Sequence, residues 1–253
     1  MAQLSNKASR IFVSSLTKDS TETNARFTQR FAPSLTGTES ISLVSASIPY
    51  MVYPFPSYAN TLVIDDGTGV ATYTIPNQTY DDGNDFATVM NSVFAGAGGN
   101  LSLTYDSNTN KFTLQNLTGS AGVTIQSSVG ALKIGFAATQ FGSSATSITA
   151  DNMPRLDATQ VIYVSLENIG QSGGDSQLPV NNILTQINVN TTFGGIIQQQ
   201  TDVEEQALPT PDYINELEIR LLDENFRELE LDANAIVCME FYVKHRKGLE
   251  SSI

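Results

Sequence analysis

Between residues 213 and 243 lie runs in which apolar side chains fall at every second position, and this spacing constrains the fold more than any other feature of the chain. Leu217, Ile219 and Leu221 alternate with Glu216, Glu218 and Arg220. Successive side chains of a strand point to opposite faces, so the spacing predicts a half-buried strand with one wet face. A polar turn at Asp223-Glu224-Asn225 follows, and then Leu229 and Leu231 flank Glu230. After a short link, Val237, Met239, Phe241 and Val243 line one face of a last strand. The pattern belongs to an antiparallel scaffold, and nothing in it carries chemistry.

The same texture runs through most of the chain. Arg10-Ile11-Phe12-Val13 reads as a short strand, and Phe27 and Phe31 alternate with Arg26, Thr28 and Arg30 in a second. A third run, residues 41–53, is closed by Pro49, Pro54 and Pro56, which cannot sit in a central strand. Val161-Ile162-Tyr163-Val164 is continuous enough for a strand covered on both faces. Ile187 and Val189 alternate with Gln186, Asn188 and Asn190, and Gly194-Gly195 marks a bulge or close backbone approach in the next run. Eight strand-like runs result, near residues 10–16, 25–31, 40–53, 159–166, 183–190, 193–200, 213–222 and 235–244, with Leu229–Leu231 left to the final connection. The expected fold class is mainly β: a single eight-stranded jelly roll, an antiparallel β-sandwich, with long loops at 139–157, 170–180 and 201–212.

Residues 60–138 read differently and are expected to form a small α+β insertion after the third strand, leaving 1–59 and 139–253 to the jelly roll. Thr61-Leu62-Val63-Ile64, a turn at Asp65-Asp66-Gly67 and residues 71–75 predict a hairpin. Phe86, Val89, Met90, Val93 and Phe94 then make the apolar stripe of an amphipathic helix, with Asn84 or Asp85 as N-cap and Gly96 just past its end. A second hairpin places Leu101, Leu103 and Tyr105 opposite Phe112 and Leu114, a strand follows at Val123-Thr124-Ile125, and residues 131–136 close the segment.

Candidate chemistry is sparse. The formal net charge of −13 argues against a nucleic-acid binder, which needs a basic footprint. One cysteine, Cys238, excludes an intrachain disulfide and a cysteine zinc site, and its strand position predicts a small buried hydrophobe. The single histidine, His245, has no nucleophile nearby: seven positions separate it from Cys238, so the two face opposite ways, and no G-x-S-x-G occurs. Asp106-Ser107-Asn108-Thr109-Asn110 begins like a calcium loop, but Lys111 and Leu117 stand where glycine and glutamate are required, so a hairpin turn is expected. Asp81-Asp82-Gly83-Asn84-Asp85 reads as a turn feeding the helix, and neither it nor Asp65-Asp66 is expected to hydrolyse glycosides. No phosphate-cradling loop is present, and no catalytic, cofactor-binding or metal residue is assigned. No signal peptide or membrane helix is expected. Basic residues gather at the two ends, Lys7, Arg10, Lys18, Arg26 and Arg30 and then Lys244, Arg246 and Lys247. They read as solvated termini or as a face toward a polyanion, lipid headgroups or packaged nucleic acid.

Four stretches carry a family resemblance: ISLVSASIPYMVYPF at 41–55, ATYTIPNQTYDDGNDFATVMNSVF at 71–94, LSLTYDSNTNKFTLQN at 101–116 and INELEIRLLDENFRELELDANAIVCMEFYV at 214–243. With NTTFGGIIQQQ at 190–200, the chain resembles the penton, or vertex, proteins of tailless icosahedral double-stranded DNA viruses with double-jelly-roll major capsid proteins. Virophages, Polinton-like viruses and nucleocytoplasmic large DNA viruses belong to that group. The resemblance implies a non-enzymatic virion protein at the capsid vertex, a homopentamer touching the major capsid protein, with an insertion projecting outward. Minor capsid proteins or an internal membrane near the basic termini are further implied partners, and specific nucleic-acid recognition is not. Alternatives are another minor capsid or spike protein used in host attachment, or a carbohydrate-binding β-sandwich with Tyr50, Tyr53, Tyr58 and Tyr80 in place of the missing tryptophan.

Overall fold

The structure is a computed structural model, and it describes residues 8–119, 122–137, 146–169, 182–201 and 207–246. In chain order the elements are β1 (Ala8–Ser14), β2 (Arg26–Thr36), β3 (Thr38–Pro49), β4 (Thr61–Asp65), β5 (Val70–Thr74) and α1 (Gly83–Gly96). Next come β6 (Leu101–Asp106), β7 (Lys111–Asn116), β8 (Thr124–Ile125), α2 (Val129–Lys133) and β9 (Ser147–Thr149). The chain ends with β10 (Val161–Leu166), β11 (Ile183–Asn188), β12 (Ile196–Gln200), β13 (Leu208–Pro209), β14 (Tyr213–Leu222) and β15 (Cys238–His245). They divide into two compact units, Met1–Val52 with Thr159–Ile253, and Tyr53–Ala158.

In the first unit one sheet runs β1-β15-β3-β12, with β13 also on β3, and the other runs β11-β10-β14-β2, all antiparallel. Strands far apart in sequence are neighbours, and each sheet interleaves the beginning and the end of the chain. This unit is a jelly roll. Its eight principal strands fall on the eight runs expected from alternation. One sheet buries Val13, Leu43, Ile48, Met239, Phe241 and Val243, and the other buries Phe27, Ile162, Val164, Leu217, Ile219 and Leu221. Full burial of such a side chain stabilises by roughly 1.5–3 kcal/mol.

The details depart from the sequence reading in physical ways. β2 continues past Phe31 to Thr36 in spite of Pro33, because it is an end strand of its sheet and can spare a ladder donor. The pairing with β14 shifts register between Ile214 and Glu216. The turn after β14 is not a plain solvent turn. Asp223 is buried, its Oδ1 accepts from the amides of Asn225 (2.7 Å) and Arg227 (2.9 Å), and Phe226 stacks on Tyr163. The alternation at Leu229 and Leu231 yields only isolated bridges, Leu222 to Glu228 and Val52 to Leu231.

The second unit holds two small sheets, β5-β4-β8 and β6-β7-β9, and its own core. Phe86, Met90 and Phe94 of α1 are fully buried, and Phe86 meets the rings of Phe55, Tyr80 and Phe112 at 4.9–5.3 Å. The N-cap is Asp82, upstream of Asn84 and Asp85: its Oδ1 accepts from both of their amides at 2.8 and 2.9 Å. At the other end Gly98, at φ +72°, makes the left-handed reversal expected of Gly96, with Gly98 N–H bonded to Ala95 and Gly99 N–H to Phe94. Residues 131–136 enter a short helix, α2, and a turn.

Residues 139–157 were expected to be surface loop, but Ser147–Thr149 forms β9, pairs with β7, and buries Ile148. Phe55 and Ile148 both join this core, so the unit is wider at each end than the 60–138 segment. The loop at 170–180, the acids Asp202, Glu204 and Glu205 of the 201–212 loop, and the terminal Lys7 and Lys247 lie outside the described residues.

Candidate functional site

The residues with reactive side chains are dispersed. Both ring nitrogens of His245 are engaged, Nδ1 with the Thr36 carbonyl and Nε2 with Ser9 Oγ, each at 2.9 Å. A carbonyl only accepts, so Nδ1 carries a proton, and in the neutral ring Nε2 accepts from the serine. The histidine is a tie between β15, β1 and the end of β2. Cys238 sits at the other end of β15 and is exposed, contrary to the buried role expected of it. Met239, Phe241 and Val243 point into the core, and parity turns Cys238 outward beside Ser14, with 3.6 Å between sulfur and hydroxyl.

The acidic clusters build turns. Asp65 Oδ1 accepts from Gly67 N–H, and Asp66 accepts from both the amide and the hydroxyl of Thr68. Those bonds hold Asp66 below the usual carboxylate range. Asp82 is lowered by the amides of Asp85 and Asn84, and Asp106 by the Asn108 amide and the Thr109 hydroxyl. Asp66, Asp82 and Asp106 are thus stabilised as anions by their own turns, the opposite of the raised general acid that glycoside hydrolysis needs. Among the described residues no group of His, Cys, Asp and Glu is placed to hold a metal ion.

The tyrosines proposed for sugar stacking are drawn inward at two of four positions. Tyr50 is buried and its hydroxyl donates to the Thr159 carbonyl at 2.9 Å. Tyr80 lies in the aromatic core, donates to Pro76 O at 2.6 Å, and burial with the nearby Asp85 charge pushes its hydroxyl up to about 12. Tyr53 and Tyr58 are half-buried.

Five of the basic residues of the two ends, Arg10, Arg26, Arg30, Lys244 and Arg246, are matched within the jelly roll. Arg10 pairs with Glu240 (2.8 Å), Arg246 with Asp212 (2.7 Å) and Lys244 with Glu39 (3.0 Å). Arg30 reaches Asp19 and Glu216, and Arg26 and Arg220 share Glu167, with Arg220 also 3.7 Å from Glu228. This internal pairing fits solvated ends better than a free basic face.

Among the described residues, one face of the jelly roll carries a groove shaped for contact. On the outward face of the β1-β15-β3-β12 sheet, Ser14, Cys238, Ser47 and Gln198 are cross-strand neighbours, and Phe12, Glu240, Ser45 and Gln200 form the next row. Serine and cysteine side chains are short, so the floor sinks between Phe12 and the glutamines and leaves a groove of about 560 Å³. Glu240 is the one charged side chain lining it, and Arg10 neutralises that charge. The arrangement offers hydroxyls, amides and an apolar ring. With the Cys238 thiol beside them, these groups can bind a surface.

No family model and no curated protein matches the chain. Among solved structures, the crystal structure of the selenomethionine-labelled mavirus penton protein is similar with a TM-score of 0.48 and 9% identity, over 95% of this chain and 100% of that one. The cryo-EM structure of the Sputnik virophage contains a similar chain with a TM-score of 0.44 and 12% identity, over 94% of this chain and 98% of that one.

Proposed function

We propose that the protein is a penton: a structural virion protein that forms a homopentamer at the fivefold vertices of an icosahedral capsid and contacts neighbouring major capsid proteins. The observation that carries this reading is the jelly roll itself, β1-β15-β3-β12 with β11-β10-β14-β2, with the extra unit entering between its third and fourth principal strands. That is the architecture implied by the stretches at 41–55, 71–94, 101–116 and 214–243, each of which falls on paired strands, a capped helix or a hairpin. The turn-bound acids and the engaged histidine support a non-enzymatic role. The mechanism is geometric: five copies close a ring through one heterologous contact, at the position where six-sided capsomers cannot fit.

The test is the mass of the purified chain in solution together with its presence in virions. A species of five times the chain mass, found in particles, is expected. A stable monomer absent from particles overturns the proposal.

A further inference from the structure

We infer that the β11–β12 edge of the jelly roll receives a second copy of this chain, and that the β1 side of that copy is what it receives. The inference rests on the pentameric reading and names its interface.

Among the described residues the two sheets end in β11 and β12 on one side and in β1 and β2 on the other, where Thr17 just after β1 bonds Gln29 of β2. An exposed edge strand is a template for another chain unless charge or proline blunts it. One side is blunted against strand addition, since β1 carries Arg10 and β2 carries Arg26, Arg30 and Pro33, and what it offers a neighbour is side chains and not a free ladder. The other side is not. β11 reads ILTQIN and β12 reads IIQQQ, with no charge and no proline. From Asn182 to Thr201 the chain contains no Asp, Glu, Lys, Arg or His, although 15% of the whole chain is charged.

Net charge gives that gap its meaning. Copies of a chain at −13 repel each other, and the β11–β12 edge adds no charge to that repulsion. Apolar side chains stand at both edges. Ile196 of β12 is 55% exposed, while Phe12 and Leu16 on the β1 side are 74% and 71% exposed. Two unlike patches on opposite edges make a head-to-tail contact, the kind that closes a ring.

The experiment uses the full chain and native mass spectrometry. One variant, Ile196→Glu with Gln198→Glu, charges the β12 edge, and a second, Phe12→Ser with Leu16→Ser, removes the apolar groups of the β1 side. A control places glutamates at Val70 and Leu117, exposed apolar positions of the other unit. The wild type and the control are expected to be pentameric. Each edge variant is expected to lose the pentamer at least about tenfold, more than ~1.4 kcal/mol, with unchanged circular dichroism.

Mixing the two edge variants adds a readout that misfolding cannot imitate. Each retains one sound edge, so the mixture should form mixed dimers and nothing larger. Pentamers that survive both edge variants, or a mixture that gives no dimers, overturn the interface while leaving the penton reading intact. A wild-type ring of another size that both variants break overturns the pentamer and supports the interface. A wild type that remains monomeric overturns both.

Discussion

Asn91 of α1 pairs with the backbone of Leu103 in β6 from both ends of its amide. Its Nδ2 donates to Leu103 O at 2.9 Å, and its Oδ1 accepts from Leu103 N–H at 2.7 Å. A helix side chain therefore completes the free edge of a sheet as a neighbouring strand would, and fixes how α1 sits over the hairpin. Asn91→Leu strands one donor and one acceptor, each worth about 1–3 kcal/mol when left unpaired in the interior. With partial solvent access, a loss of about 2 kcal/mol is expected. Asn91→Asp keeps the acceptor but sets a carboxylate oxygen against Leu103 O, and should lose at least as much at neutral pH. Urea denaturation of the three proteins measures the difference.

Three glycines separate space from backbone strain. Gly96 lies in the last turn of α1 with open space where a Cβ would go, so Gly96→Ala should stabilise by about 0.5–1 kcal/mol. Gly98 also has open space but sits at φ +72°, and Gly98→Ala should cost about 1–2 kcal/mol. At Gly130 a Cβ would meet Thr61 O at 2.6 Å and Ala59 O at 2.8 Å, both backbone atoms. Gly130→Ala should be the most damaging of the three. Thermal melts rank them.

Acid should weaken the Tyr53–Ala158 unit through Asp66, Asp82 and Asp106, whose carboxyls are all held low in the folded state. A depressed carboxyl contributes stability that is complete above its unfolded value of about 4 and is lost as pH falls through the folded value. Asparagine caps helices nearly as well as aspartate, so Asp82→Asn should melt like the wild type at neutral pH and lose less on acidification. At the alkaline end Tyr80 acts in the opposite sense. Its contribution is present below about 10 and disappears as pH rises through about 12. Melting temperature against pH, with Tyr80→Phe for the alkaline limb, reads both.

Replacing residues 53–158 by a short Gly-Ser linker should leave a jelly roll that unfolds cooperatively. Tyr50 and Thr159 flank the excised segment and are already joined, hydroxyl to carbonyl, at 2.9 Å within the first unit. If the excised unit serves host attachment, particles carrying the shortened chain should assemble and fail to bind cells. Failure of assembly would assign the unit to the vertex itself. Particle yield and a cell-binding assay separate the two.

The fold was legible wherever alternation ran for five or more residues, because Leu217, Ile219 and Leu221 can be buried together in only one register. Shorter signals carried too little pattern: Ser147-Ile148-Thr149 has one apolar residue, and only its partner β7 makes it a strand. The cap of α1 was misplaced because Asp82, Asn84 and Asp85 are all capable of capping, and the choice lies in hydrogen-bond geometry. Residue type points Cys238 inward, although its parity with Met239 turns it outward. The groove stayed hidden because alternation separates wet from dry faces without saying which strands lie side by side. Ser14, Cys238, Ser47 and Gln198 are scattered in sequence and adjacent only in the sheet. The one sequence signal for that region was the charge-free run ending at Thr201.

Fivefold-averaged cryo-electron microscopy of particles that contain this chain tests the central claim most directly. The vertex density should accept five copies of the β1-β15-β3-β12 and β11-β10-β14-β2 sandwich around the axis. Vertices filled by another fold, with this chain elsewhere in the particle, would contradict the account.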